Sequence, residues 1–149
     1  MALTMRGQVD LDADRNRVWD ALNDPEILKK CIPGCQELEK ADDRRFNATT
    51  KVAIGPIKAT FSGSVELTDI DAPNGYTISG EGRGGIAGSA KAGATVKLTD
   101  RPEGGTSLVY DVNANVGGRI AQLGARLING VAKSYADQFF SSFAKEIGS

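Results

Sequence analysis

From Ile57 to Leu67 every odd position is apolar or small and every even position is polar. A period of two sends alternate side chains to opposite faces of a strand, so this segment reads as a half-buried β-strand. The same alternation appears at Leu3, Met5, Gly7, Val9 and Leu11, and again at Leu108, Tyr110, Val112, Ala114 and Val116. Further strands are predicted at 36–40, 45–54, 76–83 and 87–98, with the Ile57 strand running to Ile70. Turn residues separate them at Asp42-Asp43, Gly55-Pro56, Asp71 to Gly75, Gly84-Gly85 and Asp100 to Gly105. Consecutive strands with short links make an antiparallel meander, and such a sheet twists and coils.

Helical signals lie at the two ends of this run. Asp12 or Asp14 can cap a helix through Val18, Trp19, Ala21 and Leu22. Asp24-Pro25 opens a second short helix carrying Ile27 and Leu28, which must stop before Pro33-Gly34. From Gly118 to about Ile147 the period moves towards 3.6, with Leu123, Leu127, Val131, Tyr135, Phe139, Phe143 and Ile147 spaced by four. A step of four drifts by about 40° against a 3.6-residue turn, so the apolar stripe winds around the helix. The expected architecture is α+β and helix-grip: about seven antiparallel strands wrapped around a long C-terminal helix, with two short helices after strand 1. The expected organisation is a single domain, residues 1–149.

The inward side chains shrink along the meander, from Phe46, Val52, Ile54, Phe61 and Val65 to Gly80, Gly82, Ala90, Ala92 and Ala94. Two packings are compatible with that trend. Small residues let a helix settle closer to the sheet, or they leave a gap beneath it. Interiors are normally close-packed, so a lasting gap would be a binding site.

Composition excludes several classes of function. Lys and Arg number 18 against 19 Asp and Glu, and a net charge of −1 argues against binding nucleic acid through its phosphates. No apolar run approaches the roughly 18 residues of a membrane span. Met1 to Val9 lacks a basic start followed by an apolar stretch, so no signal peptide is expected. The expected location is the cytoplasm, with membrane contact limited to the inner face. Histidine is absent, which removes the usual general base and the commonest metal ligand. Cys31 and Cys35 alone cannot complete a zinc site, and they read as ordinary thiols beside a turn.

Gly80, Gly82 and Gly85 match G-x-G-x-x-G, but a strand follows them where a dinucleotide site needs a helix. Glu37 with Glu39, Asp42-Asp43, and Asp69 with Asp71 read as solvated carboxylates on strands, strand ends and turns, and no metal site is expected. Arg119, Arg126 and Lys133 are spaced by seven and form one basic stripe on the predicted helix, suited to a partner or an anionic membrane. Gly124 and Gly130 inside that helix suit close packing or bending. Trp19 suits either a cavity wall or the anchor of the first helix.

The order and spacing of several motifs carry a resemblance. They are Val18-Trp19 with Leu22, Asp24-Pro25, Ile32-Pro33-Gly34-Cys35, Gly55-Pro56-Ile57-Lys58 with Phe61-Ser62-Gly63, and the glycine-rich Gly80 to Ala90. Over nearly its whole length the chain resembles the carbon monoxide dehydrogenase G-subunit family of the START-like (SRPBCC) superfamily. The resemblance implies a START-like fold with an apolar cavity between sheet and terminal helix. It also implies an accessory role beside a carbon monoxide dehydrogenase-type molybdenum hydroxylase, in maturation or membrane attachment. Its partners would be the subunits of that enzyme.

A lipophilic ligand follows as an expectation. A ring with an isoprenoid tail suits such a cavity, and a respiratory quinone would accept electrons from such an enzyme. Phe46, Phe61, Leu123, Leu127 and Val131 would supply apolar wall. Tyr76, Tyr110 or Tyr135 would hydrogen-bond a quinone carbonyl. Pro33, Gly34, Gly84 and Gly85 would line the cavity mouth. The alternatives are an assembly or recruitment factor with no ligand, and a START-like lyase or cyclase. The near absence of inward polar groups argues against catalysis.

Overall fold

The computed structural model describes residues 1–148; Ser149, the last residue of the predicted domain, lies outside them. Seven strands form one antiparallel sheet: β1 (Ala2–Leu11), β2 (Cys35–Asp42), β3 (Arg45–Ile54), β4 (Ile57–Asp71), β5 (Gly75–Arg83), β6 (Ser89–Asp100) and β7 (Thr106–Gly117). Strands β2 to β7 follow one another across the sheet, and β1 pairs with β7, so β1 and β2 are the edges. Helices α1 (Arg15–Leu22) and α2 (Pro25–Cys31) sit between β1 and β2, and α3 (Ala125–Glu146) closes the chain. The architecture is helix-grip, as the alternation predicts.

Local chemistry sets the element ends. The Asp14 side chain accepts from the Arg17 N–H at 2.8 Å and caps α1. Asp24 accepts from the Glu26 N–H at 2.9 Å and caps α2, with Pro25 at the first helical position, where no N–H is needed.

The terminal helix starts later than the fourfold spacing predicts. Residues Arg119–Leu123 form a 3-10 turn, and Gly124 has φ 94° and ψ 153°. That conformation lies outside the helical region and is open to glycine. Gly124 is therefore the N-cap of α3 rather than an interior residue, and Gly130 alone remains inside. Arg119 precedes the break, so it shares no helix with Arg126 and Lys133. A second 3-10 turn, Gly85–Ala87, takes up the predicted start of β6, which begins at Ser89. No helix of the described residues is long and apolar enough to cross a membrane.

The buried apolar residues form two clusters. One gathers Leu11, Val18, Cys31, Leu108 and Phe143 beneath the C-terminal half of α3. The other gathers Ile54, Ala87, Val116, Ile120 and Ile128 beneath its N-terminal end.

Candidate functional site: an apolar cavity beneath the terminal helix

A cavity of about 350 Å³ lies within the first cluster. Its floor is the concave face of the sheet. Met5, Val112, Ala94, Ile78 and Leu67 cross that face as one cross-strand row, from β1 to β4. Tyr110, Val96 and Tyr76 form part of the next row. Leu22 and Leu28 of the two short helices, with Ile32 just after α2, close one side, and Ala136, Phe139 and Phe140 of α3 form the roof. Phe139 stacks on Phe143 at 5.7 Å and meets Phe140 edge-on at 5.0 Å, so the roof is a rigid aromatic group.

Among the described residues, Tyr76 and Tyr110 are the only hydroxyl-bearing side chains that line the cavity, and the Tyr110 hydroxyl lies against Gly7. The Tyr76 ring lies 5.3 Å from Trp19, and no buried side-chain polar atom of the described residues is left without a partner. Burial raises the Tyr76 pKa above the ordinary tyrosine value, so the hydroxyl stays a proton donor throughout the neutral range. Tyr110 stacks on Phe140 at 5.2 Å, and its ring lies over Gly7, directly opposite on β1. A side chain at Gly7 would collide with that ring, which explains a glycine in the middle of an edge strand. Trp19 does not line the cavity; it supports Tyr76 from behind and anchors α1 to the core.

Of the residues expected on the wall, Phe46, Tyr76 and Tyr110 line the cavity. Phe61, Leu123 and Val131 pack in the second cluster instead. Leu127 is 38% exposed. It stands four steps of four before the fully buried Phe143, and a drift of about 160° turns it away from the cavity, towards Gly55. Tyr135 accepts a hydrogen bond from the Ala53 N–H at 3.3 Å. That N–H lies beyond Thr50, the last β3 residue paired with β2, so Tyr135 satisfies an uncovered sheet edge.

The expected mouth divides. Pro33 and Gly34 do not line the cavity; Gly34 sits against the Lys51 backbone two residues beyond Ile32, which does. Gly84 and Gly85 lie at the other end, where the Phe61 ring fills the space beside Gly84. The expected floor is corrected as well: of Gly80, Gly82, Ala90, Ala92 and Ala94, only Ala94 reaches the cavity. Among the wall residues that sequence reasoning missed, Ala136 and Phe140 are four apart on α3, next to the predicted stripe. A helical wheel in place of a strict step of four would have shown them.

The remaining candidates lie outside the cavity. The carboxylates of Glu37, Glu39, Asp42, Asp43, Asp69 and Asp71 are exposed. The described residues contain no group of three acidic, Cys or His side chains placed to hold a metal. Lys133 is paired with Asp137 at 3.2 Å, while Arg119 and Arg126 are exposed. Cys31 and Cys35 are free thiols, and burial, reinforced by the Glu146 charge, pushes the Cys31 pKa up to about 11.

The comparisons with known proteins agree with this geometry. A conserved protein from Geobacillus kaustophilus is 36% identical, with a TM-score of 0.91 over 97% of this chain and 95% of its own. The Zhui aromatase/cyclase from a Streptomyces species is 10% identical, with a TM-score of 0.72 over 99% of this chain and 94% of its own. Ara h 8.0201 is 17% identical, with a TM-score of 0.68 over 99% of this chain and 98% of its own. The last two share the fold alone. The chain matches none of the curated proteins. The family model for the G subunit of carbon monoxide dehydrogenase (CoxG) matches residues 7–148. With that match spanning almost all of a START-like chain, the protein belongs to the CoxG family of carbon monoxide dehydrogenase.

Proposed function

We propose that this chain is a non-catalytic accessory protein of a carbon monoxide dehydrogenase-type molybdenum hydroxylase. It holds a respiratory quinone in the cavity beneath α3 and links the enzyme to the membrane, working in the cytoplasm. The observation that carries this reading is a roughly 350 Å³ space whose walls are apolar except for tyrosine. A 150 Å³ apolar cavity takes benzene, so this space accommodates a quinone ring and the start of its tail. A quinone carbonyl accepts but cannot donate, and the Tyr76 hydroxyl, kept protonated by burial, can donate. Burying the ring removes apolar surface from water at roughly 25 cal/mol per Å².

The same wall supports the non-catalytic part of the proposal. A cyclase or lyase needs a proton donor and acceptor facing its substrate. No carboxylate, amine or thiol faces this cavity among the described residues.

The test is lipid extraction of the purified protein followed by mass spectrometry, with quinone titration of the stripped protein. Recovery of a quinone and saturable rebinding are expected. No quinone in the extract and no binding in the titration would remove the proposal.

A further inference from the structure

A meander sends its turns alternately to the two ends of the sheet, and here the ends differ in charge. The turns after β2, β4 and β6 are flanked by or contain Asp42 and Asp43, Asp69 and Asp71, and Asp100 and Glu103. The opposite end holds the Gly55-Pro56 turn, the 3-10 turn Gly85–Ala87 and the link from β7 to α3. Residues 44–65, 82–99 and 112–136, which run to and from that end, contain no Asp or Glu. Lys58, Arg119 and Arg126 are exposed there, and none forms an ion pair among the described residues.

These turns form one surface. Gly118 lies against the Gly88 backbone, Leu127 reaches Gly55, and Ala87, Ile120, Ile54 and Ile128 share one core. From it projects Ile86, 83% exposed, on a turn bounded by Gly85 (φ 62°) and Gly88 (φ 126°). An isoleucine held out in water at the end of the sheet that also carries these unpaired cations packs on nothing that the core needs. Apolar insertion combined with cation attraction is how a protein binds an anionic bilayer surface.

We infer that this end docks on an anionic lipid bilayer, with Ile86 entering the interface and Lys58, Arg119 and Arg126 meeting lipid phosphates. The inference deepens the membrane side of the reading above and rests on it. It keeps Arg119 and Arg126 of the expected stripe, adds Lys58 and Ile86, and leaves out Lys133, which is paired with Asp137 and lies two turns beyond Arg126. The acidic turns at the far end orient the molecule, because an anionic surface repels them.

The test is co-sedimentation of the full chain with vesicles of phosphatidylcholine alone or of equal parts phosphatidylcholine and phosphatidylglycerol. Binding to the anionic vesicles alone, released by salt, is expected. Partitioning should fall about fivefold for each of Arg119→Gln and Arg126→Gln and about tenfold for Ile86→Ser. Equal binding to both lipids, no binding, or unchanged partitioning of the variants would overturn the inference. In the same variants, titration with a short-tailed quinone in solution should match the wild type. A wild type that binds quinone but no vesicles would fault the docking surface, and one that binds anionic vesicles but no quinone would fault the cavity reading.

Discussion

The core around Phe143 encloses a cavity, whereas around Ile128 the side chains of Ile54, Ala87, Val116 and Ile120 pack together over the smaller floor residues. Over Gly82 and Ala90 the two 3-10 turns fold Ala87 and Ile120 inward, and the Phe61 ring occupies the space beside Gly84. Over Ala94 and Ile78 the roof is a frame of Phe139, Phe140 and Phe143, braced by α2 packing on α3. Stiff rings cannot flow into the space below them. The void is therefore set by what holds the lid away from the sheet, not by how small the floor is.

Removing the brace should have the largest effect. Phe143→Ala is expected to lose about 3–5 kcal/mol, read as a lowered urea midpoint, because the ring is fully buried. Next comes a matched pair. Ile128→Ala at the filled end should lose about 2–4 kcal/mol. Ile78→Ala should lose less, about 1 kcal/mol, since that side chain already borders empty space. Equal losses would mean that the two ends are packed alike.

Filling is the converse experiment. Ala90→Phe should cost about 1–3 kcal/mol by overpacking. Ala94→Phe should change stability by less than about 1 kcal/mol, because the new ring enters the void. Calorimetric melting of both variants decides it, and a reversed order would break the comparison.

The smallest expected effect is in pH. Burial raises the Tyr76 pKa in the folded protein, so its share of stability is complete below the ordinary tyrosine pKa of about 10. It declines as pH rises above that value. Tyr76→Phe should remove this part of the alkaline decline in urea midpoints, and an identical decline in both proteins would contradict it.

Much of the fold was legible because a strand's period is exact. Parity from Ile57 to Leu67 identifies the inward face without ambiguity, and it places Phe46, Tyr76 and Tyr110 on the concave side. The helix was less legible. The apolar spacing runs through Gly124 from Leu123 to Leu127, and only the backbone angles there reveal the break. The stripe's drift then separates Leu127 from Phe143, so a list of apolar positions does not give a list of wall positions. The height of the roof depends on α1 and α2 propping α3, which is a long-range fact that no local pattern carries.

Trp19 is the chain's single tryptophan and touches Tyr76 on the cavity wall, so its fluorescence reports what enters. The most direct test is a titration of wild type and Ala94→Phe with a short-tailed quinone, followed by Trp19 quenching. Saturable quenching with one quinone per chain in the wild type, lost in a folded Ala94→Phe, is the predicted result. Equal quenching in both proteins, or none in the wild type, would contradict the account.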